Sequence, residues 1–315
     1  MTSRLALFLT IAALPAGAAA AQSLPPYLAV NPVVTSRSGV FFQPYVSPAR
    51  PWQFRILMDY ASAIEYTEVD TAGFILDAEL LRVDLTAIRN FGTGFVGISS
   101  SINGSYGGFL DGFFDWYHEL TGLRVAAREL RPRNEFLYSA RFPTGDSLER
   151  ASRSLFLGDL RLLAGHRHTR FWQTTAAITL PIAPVGYGRK VPSLAVNSTL
   201  RTPEERPWQG EMSLGFGLTG QSGDLTRFQR TAFVGGSAGM RYRFWGRQAA
   251  FVNLFWQSAN YRNTGMRAFD RRELTLDYGF LLRARKGPEW FFGMTEDLEP
   301  KGPALDASFR IGARW

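Results

Sequence analysis

From Trp52 onward the apolar residues of this chain recur at every second position, over stretches too long for the strands of a soluble sandwich. Trp52, Phe54, Ile56, Met58 and Tyr60 alternate with Gln53, Arg55 and Asp59. The rhythm returns in Trp172, Ala176, Ile178 and Leu180, in Trp208, Met212, Leu214, Phe216 and Leu218, and in Leu274, Leu276, Tyr278, Phe280 and Leu282. Successive side chains of a strand point to opposite faces, so the pattern specifies long strands with one apolar and one polar face. Sandwich strands usually stop at about five or six residues. These segments are long enough to cross a bilayer at a tilt, and many begin or end in Trp, Tyr or Phe, where outer-membrane barrels carry aromatic girdles. The expected fold is all-β: a transmembrane antiparallel up-and-down barrel with its apolar faces toward lipid and its polar faces toward the lumen.

Twelve such strands can be placed, at 52–66, 74–89, 95–106, 155–167, 170–181, 191–201, 207–219, 228–244, 247–258, 272–285, 288–298 and 303–315. An even number brings both ends of the barrel to the periplasmic side. Turns near Phe91-Gly92-Thr93-Gly94, His168-Thr169, Trp245-Gly246-Arg247 and Lys286-Gly287 then fall inside, and the connections 107–154, 182–190, 220–227 and 259–271 fall outside. A hairpin over 134–151 belongs to the long external connection. If 37–47 and one more strand also cross, the count becomes fourteen.

Composition narrows the chemistry. The chain lacks cysteine and holds three histidines, His118, His166 and His168, which removes thiolate metal sites, disulfide frameworks and cysteine nucleophiles. Of 35 basic residues 32 are arginine, giving a net charge of +8. They are dispersed through alternating segments, often two positions from an acid, so the expectation is paired networks and no nucleic acid partner.

Arg4, the apolar run Leu5–Leu14, Pro15, and the small-residue tract Ala18–Ala21 have the layout of a secretory signal peptide cleaved near Ala21. The run is too short for a membrane helix, and no later stretch is long enough. The division is therefore a signal peptide at 1–21, an irregular segment at 22–51 and a barrel at 52–315. The middle segment holds Pro25, Pro26, Pro32, Pro44 and Pro48, which a central strand does not accommodate. It is expected as a periplasmic lead-in or as a segment tucked into the lumen. Trp315 ends the last strand on its lipid-facing phase, as in the terminal aromatic signal read by the barrel assembly machinery.

The polar phases nominate lumen residues. Asp59, Asp159, Arg161, Glu211, Asp277 and Arg310 should face inward, with Arg241, Arg243, Arg283 and Arg314 near the inner mouth. Paired arginines and carboxylates are expected, because an unpaired charge in a narrow pore costs several kcal/mol. The basic surplus would favour anions. Phe109–Gly122 breaks the rhythm: Asp111, Asp115, His118 and Glu119 share one helical face, opposite Phe113, Trp116 and Leu120. Its expected place is inside the pore as a constriction, with the rim as the alternative, and its acids would meet water or arginines such as Arg124, Arg128, Arg131 and Arg133. A metal site on the acidic face is the less favoured reading, and neither a catalytic set nor a cofactor is expected.

Asn31-Pro32-Val33, Phe109-Leu110-Asp111-Gly112-Phe113-Phe114 with Trp116-Tyr117-His118, Gly158-Asp159-Leu160 and Met294-Thr295-Glu296-Asp297-Leu298 resemble a family of bacterial outer-membrane proteins catalogued as domain of unknown function (DUF) 3187. The resemblance implies an outer-membrane location in a Gram-negative-type bacterium and brings no catalytic residues. The expected function is a passive channel or uptake porin for a small solute, surrounded by outer-membrane lipid. An enzyme acting on lipid or peptide at the outer rim, and a structural envelope barrel with a completely filled lumen, are the alternatives.

Overall fold

Long two-faced strands can satisfy their backbone in a membrane only by closing into a ring. In the computed structural model, which describes residues 23–27, 29–69, 72–122, 132–203, 206–223, 225–283, 287–299 and 307–315, they do so. The segments are β1 (Trp52–Val69), β2 (Ala72–Phe91), β3 (Gly94–Tyr106), β4 (Leu137–Arg141), β5 (Ser147–Arg150), β6 (Arg153–Leu157), β7 (Leu160–Arg167) and β8 (Trp172–Leu180). They continue with β9 (Ser193–Arg201), β10 (Trp208–Thr219), β11 (Ala232–Trp245), β12 (Gln248–Gln257), β13 (Glu273–Arg283), β14 (Glu289–Asp297) and β15 (Ala307–Arg314). All neighbours pair antiparallel, and β1 meets β15 with Asp59 opposite Arg310, which closes the ring. β6 and β7 both pair with β3 as one interrupted wall strand, while the β4–β5 hairpin extends the outer end of β2. The described wall therefore has twelve strands. Residues 37–47 contribute none, so the fourteen-strand count falls away.

The two faces separate as the alternation requires. On β8, Gln173, Thr175 and Thr179 are buried inside, while Trp172 and Ile178 stand outside. On β10, Gln209, Glu211 and Ser213 point in, while Trp208, Met212, Leu214 and Phe216 are each about half exposed on the outer wall. An apolar band of that extent is tolerable only against lipid.

The interruption between β6 and β7 is a bulge. Leu157 pairs with Ile102 and Arg161 with Ser99, so four steps on one strand oppose three on the other. The Gly158 N–H takes up the slack by donating to the Ser101 carbonyl at 2.7 Å. A Cβ at Gly158 would run into the side chains of Ser101 and Asn103. Gly158→Ala is expected to cost about 1–3 kcal/mol through this overpacking. It should lower the urea midpoint of liposome-inserted protein, and an unchanged midpoint would show that the bulge yields freely.

Residues 48–51 are an exposed lead into β1, and the described residues of 23–46 lie inside the barrel. Their prolines bar them from a ladder, and lumen side chains satisfy their backbone instead. The path rises from Ser23, beside Arg314 and Tyr45, past Pro26, bonded by Arg310, to Ala29, bonded by Arg82. It turns through the short helix α1 (Pro32–Thr35), whose Val33 N–H is capped by Asn31 Oδ1 at 2.9 Å, and descends to Val46. At the outer end Val33 joins an aromatic cluster built by the strand ends and external loops, including Phe74, Phe142, Phe228 and Phe269. The hairpin tip is tied to the 220–230 connection by Asp146, whose carboxyl is held below its usual range by the Thr144 hydroxyl and the Arg227 guanidinium.

Candidate functional site: the occupied lumen

The wall grips its occupant mainly through amide and hydroxyl side chains. Gln173 Oε1 accepts the Val46 N–H at 2.8 Å, Asn197 Oδ1 accepts that of Gln43 at 3.2 Å, and Thr199 donates to the Gln43 carbonyl at 2.9 Å. Both Glu211 carboxylate oxygens lie 3.3 Å from the Tyr45 N–H. Higher up, Arg37 donates to the carbonyls of Gly220 and Arg230, and Ser38 to Gln257 at 2.6 Å. Tyr27 donates to Glu273, which Gln257 also meets, and its ring stacks on Phe255 with centroids 4.6 Å apart. Apolar contacts fill the remainder: Leu24 against Leu57, Phe251, Leu281 and Phe291, and Phe41 with Val46 against Phe95 and Leu163.

The nominated lumen residues take distinct positions. Asp59, Arg310 and Asp277 form one chain across three strands, with Arg310 Nε 2.7 Å from Asp59 and its Nη1 2.8 Å from Asp277. All three are buried, and Asn253 adds a hydrogen bond to Asp277 at 3.3 Å. Arg314 pairs with Glu289, and Arg241 donates to Gln209 at 2.6 Å. Arg243 and Arg283 face the inner mouth without an ion pair among the described residues. Asp159, beside the bulge, accepts the N–H groups of Ile182, Ala183 and Arg189 and pairs with the Arg189 side chain at 3.4 Å. It thereby draws the 181–190 connection into the outer mouth, where Arg189 also donates to the Ser38 carbonyl. Arg161 sits with its guanidinium 5.0 Å from the Phe41 ring centroid.

Several participants were not singled out from sequence. Arg167 spreads its guanidinium over the carbonyls of Val46, Gly92 and Gly94 and over Asn90 Oδ1, clamping the lower end of the inner segment. Gln173 and Asn197 belong to no motif either. Their signal is the abundance of amides on polar strand phases, which suits the holding of irregular backbone better than an ion path.

The helix is a correction. α2 (Asp111–Thr121) does not enter the pore; it lies on the outside of the wall. Phe113 packs at 5.3 Å against Phe309, Phe109 at 5.7 Å against Tyr60, and Tyr117 donates to Glu296 at 2.9 Å, all on outward phases of β1, β14 and β15. Phe109, Trp116 and Leu120 are more than half exposed, where bilayer would meet them. The cause is Glu79, an outward-facing acid on β2 that must be covered. It accepts the N–H groups of Phe109 and Leu110 and the Tyr60 hydroxyl, which draws the loop down over the wall. Asp111 accepts the Asn134 N–H at 2.7 Å and Asp115 pairs with Arg133 at 2.8 Å, while Glu119 is exposed. The His118 side chain and residues 124, 128 and 131 lie outside the described residues. Among those described, no three His, Cys, Asp or Glu side chains are gathered to hold a metal ion. Glu79→Ala should cost about 1–3 kcal/mol by unpairing two amides. It should speed external protease cleavage between residues 107 and 122, and an unchanged rate would mean that other contacts hold the loop.

No family model and no curated protein matches the chain. Among solved structures, an outer-membrane channel from Pseudomonas putida F1 superposes with a TM-score of 0.54 at 11% identity, covering 86% of this chain and 99% of that one. The NanC porin gives 0.45 at 7% identity over 82% and 98% of the two chains. The Pseudomonas putida toluene transporter TodX gives 0.41 at 10% identity over 92% and 97%. At such identities the first of these shows a shared fold. The chain has the closed antiparallel β-barrel fold of that outer-membrane channel.

Proposed function

We propose that this barrel is a channel for a small solute, closed at rest by its own residues 23–46. The observation that carries the reading is the chemistry of the inner interface. The occupant is held largely by backbone to side-chain hydrogen bonds, each worth about 0.5–1.5 kcal/mol net because water can replace it. The lumen surface left on its departure carries many polar groups that water can satisfy, beside the apolar patches at Leu57, Phe251, Leu281 and Phe291 and at Phe95 and Leu163. A cavity also persists between the inner segment and the wall of β2, β3 and β6–β8. In this reading the leader is removed near Ala21, and assembly proceeds through the terminal strand, whose Trp315 exchanges backbone hydrogen bonds with Phe54. The narrowing element assigned by sequence to the 109–121 helix is the N-terminal segment.

A structural envelope barrel is the second reading, favoured by the aromatic cluster that seals the outer mouth around Val33. Conductance of the purified protein in planar bilayers separates the two. A channel shows low, intermittent current that rises when the inner segment is loosened, and a structural barrel stays silent in both forms.

A further inference from the structure

The cavity beside the inner segment is not electrically neutral. Arg82, Arg161 and Arg189 line it with two carboxylates, Asp84 and Asp159. Both acids are committed elsewhere. Asp84 accepts the Thr86 hydroxyl at 2.8 Å and stands 3.6 Å from Arg55 as well as 3.5 Å from Arg82. Asp159 spends its oxygens on three backbone N–H groups and on Arg189. Arg161 has no ion pair among the described residues; its Nε reaches only Thr179 Oγ1, at 3.5 Å. A guanidinium withdrawn from bulk water without an anion is costly, and a planar fork of donors is best met by a carboxylate. The surroundings are mixed, with Phe41, Phe156, Val34 and Leu80 giving apolar surface and Ser99 and Asn103 giving polar atoms.

We infer that this cavity is a binding site for a small organic monocarboxylate with an apolar body, its carboxylate on Arg161 and its body against Phe41 and Phe156. As the solute class of the channel, the inference rests on the preceding reading for a route into the cavity, but binding itself can be measured without transport. The test is equilibrium binding of benzoate, and of its neutral counterpart benzamide, to the detergent-purified full-length protein. Benzoate should bind saturably, and benzamide at least about tenfold more weakly, a difference of about 1.4 kcal/mol. Arg161→Gln should weaken benzoate by a similar factor and leave benzamide unchanged, while Arg161→Lys keeps part of the preference. Heat-dependent gel migration confirms that each variant is folded. Equal binding of the two probes, undiminished benzoate binding by R161Q, or no saturable benzoate binding overturns the site. If benzoate fails to bind while loosened barrels conduct, the site alone is wrong; if it binds while they stay silent, the channel reading alone is wrong.

Discussion

Deletion of residues 23–46 turns a nearly silent barrel into a steadily conducting one. The expected gain in conductance is on the order of tenfold or more, because a twelve-stranded wall encloses more space than its own side chains fill. The wall should survive the deletion, since none of the described residues of 23–46 belongs to its ladders. Stability should nevertheless fall, because Leu57, Phe251, Leu281 and Phe291 lose Leu24, and Phe95 and Leu163 lose Phe41 and Val46. A milder pair of substitutions approaches the same state while keeping the segment. Gln173→Ala and Asn197→Ala each remove an acceptor from a backbone N–H of the descending limb. Each should weaken the closed state by about 1–3 kcal/mol, which is roughly a 5- to 150-fold shift in the closed-to-open ratio. Open events should become more frequent, with unit conductance close to that of the deletion. A deletion protein that is inserted and heat-modifiable yet still silent would show that the aromatic cluster at the outer mouth closes the barrel independently, and would sustain the structural reading.

The wall was legible from residues 52 to 315 because lipid and lumen impose opposite demands on alternate side chains, and few segments escape that period. The long external connection could be read as carrying a hairpin, and β4–β5 is that hairpin, although its pairing onto β2 is a long-range choice that a local pattern does not record. The N-terminal segment could be excluded from the wall by its prolines, but not placed. Its partners are single side chains on strands far along the sequence, such as Gln173, Asn197 and Gln257. The helix was misplaced for a symmetrical reason. An amphipathic helix with Phe113, Trp116 and Leu120 on one side suits an apolar lumen wall and a bilayer equally. What decides between them is Glu79, an acid on the lipid-facing phase of β2, where an uncovered charge is expensive. An acid out of phase with its strand is thus a readable sign that something covers the outer wall at that height.

The largest loss of stability from one substitution is expected at Arg310. Asp59 and Asp277 are both inaccessible to solvent and share this one guanidinium, which also bonds the Pro26 carbonyl of the inner segment. Arg310→Met keeps most of the side-chain volume and leaves two buried acids facing each other without a cation. Breaking a buried ion pair from one side costs about 3–5 kcal/mol, and two acids share the loss here. Asp277→Asn should cost less, because Arg310 retains Asp59 and Pro26 and the new amide can still bond Asn253. The informative variant is the triple change Arg310→Met, Asp59→Asn and Asp277→Asn. It removes all three charges together, so most of the lost stability should return, as it does where buried charge clusters are replaced by neutral groups of similar size. Urea unfolding of liposome-inserted protein, followed by tryptophan fluorescence and gel migration, gives the order wild type, triple variant, Arg310→Met from most to least stable. Equal midpoints for wild type and Arg310→Met would mean that the acids are wetted or protonated in the lumen. A triple variant no better than the single one would place the role of Arg310 in its bond to Pro26, and Arg310→Met should then match the 23–46 deletion in conductance.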